Sequence, residues 1–329
     1  MPARSTPRTR RAEQAAADRR RTSPGNSAET SEPTAEFEEG VLTERSSRIA
    51  AAHRLLRKPR RIESGEFLAE GVQAVSEAVA AERSNPGTVK ELYITKDAGA
   101  RNVDLVRVAF AAHIEVTQIT DRAAAALSDT VSPQGIVARC AVTLADVGHV
   151  IASEPRLIAV LVDTNDPGNA GTIIRLADAA GADAVIFAGE SVDPFNPKAV
   201  RASTGSLFHL PVAKAAEIGM LLMELADAGL SVLATTGGAA NTDLDTATDD
   251  GILDLPTAWL FGSEGHGLPP EVIEAADESI RVPIYGAAES LNLATAAAIC
   301  LYASARAHRA ARSDRISGHD VPKPAETSM

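Results

Sequence analysis

The sequence has few aromatic residues, few cysteines and no long apolar runs. Aromatic residues make up 3% of its 329 residues, and together with abundant alanine and arginine this shortage indicates the codon bias of a GC-rich genome. The two cysteines, Cys140 and Cys300, are distant in sequence and flanked by apolar residues, so we expect core side chains in a reducing compartment and no disulfide. No charge-free apolar stretch is long enough to span a membrane, and the N-terminus has no signal-peptide core, so we expect a cytoplasmic protein without membrane contact.

Metal-binding histidine patterns and net positive charge are also missing. The seven histidines are scattered, without the spacing of a metal site, so we expect no metal. The formal net charge of −12 argues against non-specific nucleic-acid binding, because phosphate neutralisation requires clustered Lys and Arg. A whole-chain sum hides local patches, however, so the distribution of charge matters more than its total.

What is present indicates a globular protein of two domains with a polar segment at each end. Hydrophobic residues make up 45% and charged residues 23% of the chain, which is ordinary globular composition for a chain long enough to hold two domains. Residues 1–40 are arginine-rich and then glutamate-rich, so we expect a disordered tail that either contacts RNA or only adds solubility. Residues 313–329 are polar, and we expect a second flexible tail.

Residues 41–145 alternate between strand and helix patterns, which predicts a small α/β domain. The apolar periodicity predicts strands at 67–69, 89–95, 114–116 and 136–138, and helices at 46–56, 71–81 and 104–112.

The same domain carries the densest cluster of positive charge in the chain. Five cations fall within eight residues with no acid among them, and they are Arg54, Arg57, Lys58, Arg60 and Arg61. Cations near a helix C-terminus are favoured by the helix dipole, so a solvated helix end is one interpretation. The cluster exceeds what a helix cap needs, and we favour RNA contact.

Residues 156–312 predict a second α/β domain, which follows a linker at 145–156. The continuous apolar run at 157–162 is typical of a buried parallel strand, and Asn169 is placed to cap the next helix. Further strands are predicted at 184–187, 207–211, 231–235, 258–261 and 280–284, with helices at 220–228 and from 290 to about 312.

Two glycine-bearing turns follow the last two predicted strands. The first is GSEGHG at residues 262–267, and the second contains Gly286. Glycines behind strand ends let a ligand approach the bare backbone. The spacing G-x-x-G-x-G differs from the dinucleotide fingerprint G-x-G-x-x-G, and no P-loop lysine follows. Spacing alone therefore predicts either a ligand-binding edge or a plain turn and helix cap.

At these turns the chain resembles the SpoU branch of the SPOUT RNA methyltransferases, enzymes that methylate a ribose 2′-hydroxyl. Residues 262–267 resemble motif 2 of the family, G-[SA]-E-G-x-G, and residues 283–301 resemble motif 3. Motif 1 is matched by DPGNAGTIIR at 166–175, with Thr172 where the family usually has alanine. A further element at 193–206 also resembles the family. Three motifs in the right order make the resemblance specific.

The resemblance implies an α/β fold whose C-terminal, SPOUT-type parallel sheet contains a deep trefoil knot, with the knotted loops forming the cofactor pocket. It implies S-adenosyl-L-methionine as the cofactor, and a homodimer whose active sites draw residues from both subunits. Residues 65–71, GEFLAEG, extend the resemblance to the substrate-binding domain found at the N-terminus of many SpoU enzymes, an L30e-like α/β domain. Composition and periodicity by themselves show no knot.

The resemblance also gives roles to particular residues. Those that it implies for catalysis are Asn169, Arg175, Glu264, Ser290 and Asn292. Those that it implies for cofactor contact are Gly262, Val282 and Leu291, and Thr235 and Gly237, past the preceding strand, are weaker candidates for the same pocket. Lys198 and Arg201 lie one helical turn apart, a spacing suited to phosphate contact. His266 stands at a variable family position, and we interpret it as incidental.

Methyl transfer to a ribose hydroxyl needs in-line positioning and removal of the hydroxyl proton. The family's catalytic arginine maps onto Arg175, which acts either as the base or as a clamp on the target phosphate. Because a guanidinium stays protonated, a bidentate phosphate clamp is the simpler role. Glu264 is the alternative base, and Ser290 is equally suited to capping the last helix.

The sequence therefore predicts an S-adenosylmethionine-dependent RNA ribose 2′-O-methyltransferase. The accessory N-terminal domain favours 23S rRNA as the substrate, and tRNA is the alternative. A non-catalytic RNA-binding or ribosome-assembly factor of the same fold is the alternative of another class. Loss of Arg175 or Asn292 would have favoured that alternative, and both residues are present.

Overall fold

The computed structural model describes residues 40–238 and 240–317. The predicted N-terminal tail, except for Gly40, and the end of the predicted C-terminal tail lie outside the described residues. The described chain is organised around two sheets, one on each side of residues 145–156.

The N-terminal domain is built on a four-stranded mixed sheet. Its strands are β1 (Glu66–Glu70), β2 (Val89–Thr95), β3 (Val116–Ile119) and β4 (Ile136–Ala141). They lie in the order β1-β4-β2-β3, with β4 antiparallel to both of its neighbours and β2 parallel to β3. The four predicted strands are present, although β3 begins two residues later than the apolar pattern indicates.

Short helices pack against this sheet. They are α1 (Ser47–His53), α2 (Lys58–Ser64), α3 (Val72–Ser84), α4 (Lys96–Arg101), α5 (Val103–Ala111) and α6 (Asp121–Ala126). A 3₁₀ turn, Arg54–Leu56, joins α1 to α2. In α3 the buried side chains are Ala74, Val75, Ala78 and Val79. They recur every three to four residues, so one face of the helix covers the sheet.

The C-terminal domain is built on a seven-stranded sheet. Its strands are β5 (Leu157–Val162), β6 (Ala184–Ala188), β7 (Val212–Ala215), β8 (Ser231–Thr235), β9 (Thr242–Asp243), β10 (Thr257–Phe261) and β11 (Glu278–Arg281). They lie in the order β7-β6-β5-β10-β8-β11-β9, and every pair is parallel. The predicted parallel sheet is confirmed.

Helices cover both faces of this sheet. They are α7 (Val147–Ala152), α8 (Pro167–Ala180), α9 (Pro197–Ser203), α10 (Ile218–Asp227), α11 (Leu244–Asp249), α12 (Pro270–Glu274) and α13 (Leu293–Ser317). Alternate residues of β5 point into opposite cores, with Leu161 on the side of α8 and α13 and Val160 on the side of α10. A strand buried on both faces must be apolar throughout, which explains the continuous apolar run of β5.

The last helix returns from the edge of the sheet to its centre. Strand β11 has only β9 outside it, yet α13 packs against α8 and against the central strands β5 and β10. Trp259 of β10 is fully buried, and its indole N–H donates to the Ser304 hydroxyl of α13 at 2.9 Å. The return brings the start of α13 beside the carboxyl ends of the central strands. The helix also runs five residues past its predicted end at 312.

One strand assignment near the domain junction is wrong, and the segment between the domains contains a helix that the sequence did not indicate. Residues 207–211 do not form a strand, because the chain there enters a 3₁₀ turn at Ser206–Phe208 and pairs with β6 only from Val212. Phe208 packs on Phe67 of the other domain, which fixes the turn. The predicted linker at 145–156 contains helix α7, and Ala145 pairs with Ala213 beside β7.

The two cysteines occupy the positions expected of core residues. Cys140 and Cys300 are fully buried and free of any disulfide. Burial raises the pKa of both thiols, that of Cys300 to about 12, so both stay protonated and inert. None of the described helices is both long and apolar enough to cross a membrane.

The two domains share one continuous apolar core and a set of charged contacts. Phe67 of β1 lies 4.8 Å from Phe195 of the C-terminal domain, measured between ring centroids. His209 bridges the domains, with Nδ1 2.7 Å from Asp178 of α8 and Nε2 3.1 Å from Glu77 of α3. Partial burial lowers the pKa of His209, but the hydrogen bonds and negative charges of these two carboxylates outweigh it, and the net shift is upward.

The raised pKa of His209 predicts a stability contribution that disappears at alkaline pH. The contribution is fully present below the unfolded-state pKa of about 6.5 and is lost as the pH rises through the higher folded-state value. Because the side chain is 40% exposed, we expect no more than about 1 kcal/mol, or about 2 °C in Tm. Thermal unfolding of His209→Gln should therefore differ from wild type at acidic pH and converge with it at alkaline pH.

His149 of α7 provides a matched control for this measurement, since its side chain is 91% exposed and its described pairing, 3.5 Å from the exposed Asp146, lies at the surface within one domain. His149→Gln should follow wild type at every pH. Equal behaviour of the two variants across the pH range would contradict the bridging role of His209.

Candidate functional site

Three loops meet at the carboxyl edge of the C-terminal sheet. They are the loop after β5 at 163–166, the glycine turn after β10 at 262–267, and the segment between β11 and α13 at 282–292. The carboxyl ends of parallel strands are where α/β proteins bind ligands. Motif 2 of the sequence analysis is the second of these loops, while motifs 1 and 3 begin in the other two loops and continue into α8 and α13.

Asp166, and not Asn169, caps the helix that carries motif 1. Its Oδ1 accepts the backbone N–H of Asn169 at 2.8 Å, and its Oδ2 lies 2.8 Å from the ammonium of Lys198. The hydrogen bond from Lys198, with that from the Asn169 backbone, lowers the pKa of Asp166. The predicted cap at Asn169 is wrong because Asp166 occupies that position, and this leaves the Asn169 side chain available to the site.

One chain of hydrogen bonds joins the three motifs. The Asn169 amide Nδ2 donates to Oε1 of Glu264 at 2.9 Å, and the Asn169 Oδ1 accepts from Nδ2 of Asn292 at 3.1 Å. Glu264 also accepts the backbone N–H groups of Asn165 and Asp166, at 3.3 and 3.4 Å. Both oxygens of Glu264 are therefore occupied, by two backbone donors of the loop at 163–166 and by the Asn169 side chain of α8.

Asn292, and not Ser290, caps helix α13. Oδ1 of Asn292 accepts the backbone N–H groups of Ala294 and Thr295, at 2.9 and 3.3 Å, and so caps the helix. Ser290 lies two residues earlier, is exposed, and does not cap it. The cap thus belongs to the residue that also reaches Asn169.

The glycine turn after β10 closes on itself. Ser263 and Gly267 exchange two backbone hydrogen bonds, of 3.0 and 2.9 Å. A Cβ added at Gly262 would lie 2.2 Å from the carbonyl carbon of Gly267 and 2.3 Å from the nitrogen of Leu268, both backbone atoms. Gly262 is therefore required by the turn itself, independently of any ligand. His266 is exposed and has no described part in the network.

Motif 1 packs closely against helix α9. A Cβ at Gly171 would lie 2.1 Å from the carbonyl oxygen of Ala199, so only glycine lets the two helices approach this closely. Arg175, one turn further along α8, is exposed and lies outside the Glu264–Asn169–Asn292 chain. Its Nη1 donates to the Thr204 hydroxyl at 3.4 Å. Thr204 ends α9 in a left-handed conformation, with φ of 52°.

The residues predicted to contact a cofactor lie at the same edge of the sheet. Thr235 ends β8, and its hydroxyl donates to the carbonyl of Leu260 at 2.7 Å. Val282 and Leu291 are half-buried, at the two ends of the last loop, and Gly237 is exposed beyond β8. The edge therefore combines half-buried apolar side chains with open backbone.

The sequence analysis did not single out several residues at this edge. The Tyr285 hydroxyl is 2.6 Å from Oδ2 of Asp245, and this hydrogen bond raises the pKa of Tyr285. Asn165 contributes a backbone N–H to Glu264, and the Thr204 hydroxyl accepts a long hydrogen bond from Arg175. No residue pattern in the sequence indicates either contact. No group of three or more His, Cys, Asp or Glu residues is placed to hold a metal ion in the described part of the chain.

The cationic turn, residues 54–58, is exposed on the N-terminal domain. Arg54, Arg57 and Lys58 are exposed, and no described carboxylate forms an ion pair with any of them. Arg60, just beyond the turn, is paired with Glu63 on the next helical turn. Three of the five clustered cations therefore remain available to a polyanion.

Two arginines predicted to contact RNA are instead used between the domains. Arg61 is 3% exposed and is paired with Asp193 at 2.7 Å. Arg201 is paired with Asp129 and, at 3.4 Å, with Glu70, both in the N-terminal domain. The expectation that Arg61 faces RNA is therefore wrong, because the fold buries it against a carboxylate that is distant in sequence. Arg201 is 26% exposed and is paired within the protein.

The fold and the site define a two-domain α/β protein with a ligand site at the carboxyl edge of a parallel sheet and exposed cations on a smaller domain. Residues 156–302 match the profile of the SpoU rRNA Methylase family, and residues 46–138 match that of the MRM3-like substrate binding domain. The chain is 33% identical over 264 residues to the 23S rRNA (guanosine(2553)-2′-O)-methyltransferase RlmP of Bacillus subtilis, covering 80% of this chain and 97% of that relative.

Solved structures give the same result. A crystal structure of an AdoMet-bound rRNA methyltransferase from Sinorhizobium meliloti superimposes with a TM-score of 0.69 at 30% identity, covering 81% of this chain and 98% of that chain. The SpoU methyltransferase AviRb from Streptomyces viridochromogenes, in complex with AdoMet, superimposes with a TM-score of 0.67 at 30% identity, covering 83% and 99%. The chain belongs to the SpoU rRNA methylase family.

The geometry of the glycine turn predicts unequal effects of alanine at two of its glycines. Gly262→Ala forces a Cβ into the backbone of Gly267, so the turn must open, at a cost of about 1–3 kcal/mol or more. Gly265→Ala places its Cβ in open space and serves as the matched control. Thermal unfolding should show a Tm lowered by at least about 2 °C for the first variant and little change for the second. Equal Tm values for the two variants would contradict this account of the turn.

Proposed function

We propose that this protein is an S-adenosylmethionine-dependent 23S rRNA ribose 2′-O-methyltransferase. The observation that carries the proposal is the hydrogen-bonded chain Glu264–Asn169–Asn292, which fixes three motifs of a methyltransferase family at one sheet edge. The rRNA substrates named for the relatives from Bacillus subtilis and Streptomyces viridochromogenes support the choice of RNA.

The cofactor proposed for this edge is S-adenosyl-L-methionine. Two structural neighbours hold AdoMet, and the edge offers what such a ligand needs, namely open glycine backbone and half-buried apolar side chains. Gly262, Val282 and Leu291 would flank it, with Thr235 and Gly237 at the margin of the pocket. When bound, the cofactor supplies an electrophilic methyl group on a sulfonium.

Arg175 is proposed to orient the ribose by holding the neighbouring phosphate. Its described contact is one long hydrogen bond to the neutral Thr204 hydroxyl. A cation that is exposed and not committed to a carboxylate can form a bidentate pair with phosphate. Fixing the phosphate fixes the adjacent 2′-hydroxyl, which is the positioning that methyl transfer requires.

Glu264 is proposed to organise the site rather than to remove the proton. Its two oxygens accept three N–H donors, two from the loop at 163–166 and one from Asn169 of α8, so a substrate hydroxyl would have to displace them. Asn169 is bonded to Glu264 and to Asn292, and Asn292 caps α13, so these hydrogen bonds also position the start of α13. Ser290 is exposed beside that start, where it is free to contact substrate or a second subunit.

The N-terminal domain is proposed to bind RNA through the cationic turn. The match of residues 46–138 to a substrate-binding domain includes the turn, and Arg54, Arg57 and Lys58 are exposed there. An L30e-like fold is proposed for this domain. The match and the rRNA-named relatives favour rRNA over tRNA, and the assembled site favours an enzyme over a non-catalytic factor.

A deep trefoil knot, a homodimer and a cytoplasmic location are proposed with this function. The return of α13 from β11 to the centre of the sheet supports the knot. Ile299 and Tyr302 are 38% and 45% exposed on α13, and such apolar exposure on a core helix supports a subunit contact. The two protonated, buried cysteines support a reducing compartment.

The proposed clamp predicts that Arg175→Ala stops methylation without releasing the cofactor. Transfer of labelled methyl from S-adenosylmethionine to unmodified 23S rRNA should fall at least about 100-fold, since orientation of the nucleophile is lost. Calorimetric affinity for the cofactor should stay within about threefold, because Arg175 lies outside the Glu264 network. Arg107→Ala, an exposed arginine of α5, is the matched control. Activity near wild type in Arg175→Ala would remove the assigned role.

The proposed RNA surface predicts a change in the salt dependence of binding. Replacing Arg54, Arg57 and Lys58 with glutamine should weaken binding of 23S rRNA and reduce the slope of log Kd against log salt by about 0.7 to 1 per cation. Replacing three exposed cations of α4 and α5, Lys96, Arg101 and Arg107, with glutamine removes the same number of charges and controls for total charge. If the slope of the triple variant matches wild type, the turn is only a solvated helix end.

A further inference from the structure

Arg61 forms an ion pair in the interior of the domain interface. Its Nε and Nη2 donate to Oδ2 of Asp193 at 2.9 and 2.7 Å, and the side chains are 3% and 12% exposed. Oδ1 of Asp193 accepts the backbone N–H of Phe195 at 3.0 Å, so both carboxylate oxygens are occupied. Charges buried this deeply persist only when each is held by its partner.

The same guanidinium holds the cationic turn. Its Nη1 donates to the carbonyl of Leu55 at 2.9 Å, and Leu55 stands between Arg54 and Arg57 in the chain. Arg61 therefore touches the backbone of the RNA-facing turn with one nitrogen and the C-terminal domain with the other two.

On the other side, Asp193 opens a segment that leads to the catalytic residues. This bridging segment, residues 193–204, consists of residues 193–196 before α9, the helix α9 itself, and Thr204 after it. Within it Lys198 pairs with Asp166, the cap of the motif 1 helix, and Thr204 accepts from Arg175. Arg201 of the same segment pairs with Asp129 of the N-terminal domain. The segment thus contacts both the substrate domain and the proposed phosphate clamp.

A second path links Asp193 to the motif 1 loop. The hydroxyl of Ser191 accepts the backbone N–H of Thr164 at 3.1 Å, and the Val192 N–H donates to the Thr164 carbonyl at 2.8 Å. Asn165, the next residue, donates its N–H to Glu264. The loop at 191–193, whose Asp193 pairs with Arg61, is therefore hydrogen-bonded to the loop at 163–166, whose backbone donates to Glu264.

We propose that Arg61 is a positioning residue for methyl transfer, which through Asp193 sets the orientation of the cationic turn relative to Arg175. RNA held on the turn then enters the cleft with its target phosphate at the guanidinium of Arg175. The proposal rests on the proposed function, since it requires that the turn binds RNA and that Arg175 acts in the reaction. Arg61 itself does not contact the RNA.

The test is a double-mutant cycle with Arg61→Gln, Asp193→Asn and the double variant. Each is assayed with unmodified 23S rRNA for three quantities, namely the single-turnover rate of methyl transfer at saturating RNA, the salt slope of RNA binding, and calorimetric affinity for S-adenosylmethionine. We expect each single variant to lose about tenfold or more in rate, and the double variant to lose no more than either single, because both remove one interaction. The salt slope and cofactor affinity should remain within about twofold of wild type.

Three results would overturn the proposal. A salt slope reduced by about 1 in Arg61→Gln alone would make Arg61 a direct phosphate contact. Multiplicative losses in the double variant would show that Arg61 does not act through Asp193. If cofactor affinity falls by the same factor as the single-turnover rate, or if the rate does not fall, the Arg61–Asp193 pair contributes to stability only. If wild type transfers no methyl to 23S rRNA, the proposed function fails first, and this proposal fails with it.

Discussion

The geometry of the site depends on the side-chain amide of Asn169. Glu264 needs a donor and Asn292 offers one, so the residue between them must donate with one atom and accept with the other. A primary amide does both at once, whereas aspartate would oppose the charge of Glu264 and leucine would remove one hydrogen bond from each partner. Because Asn292 also caps α13, loss of this amide would disturb a loop and a helix start together.

The domain interface combines aromatic residues, which the chain has in short supply, with arginines. Of seven phenylalanines, Phe67, Phe195 and Phe208 pack together at this interface. Arg61 and Arg201 form ion pairs with carboxylates there. These two cations are therefore already paired within the protein, and fewer of the clustered cations can contact RNA than the sequence suggests. The net positive charge that residues 54–61 expose to a ligand is therefore smaller than the formal charge of that segment.

Local patterns predicted the fold well, and contacts distant in sequence account for what they missed. Strands β2, β5 and β8 have the predicted bounds, because apolar runs between turn residues depend only on neighbours in the chain. The motif residues meet at one edge, as their resemblance to a family implied. The pairing of Arg61 with Asp193 spans 132 positions, and no periodicity carries such information. The cap at Asn292 was missed for a different, local reason, since both Ser290 and Asn292 are good capping residues and the pattern does not choose between them.

The indole of Trp259 has consequences for the order in which the domain is completed. Its hydrogen-bond partner, Ser304, is translated 45 residues later, and until α13 docks the ring faces an open core. During synthesis the central strands can pair before α13 is available to cover β5 and β10. The reactive cleft is thus among the last features to form, and a polypeptide interrupted before Ser304 would expose its largest aromatic surface to chaperones and proteases instead of acting on RNA.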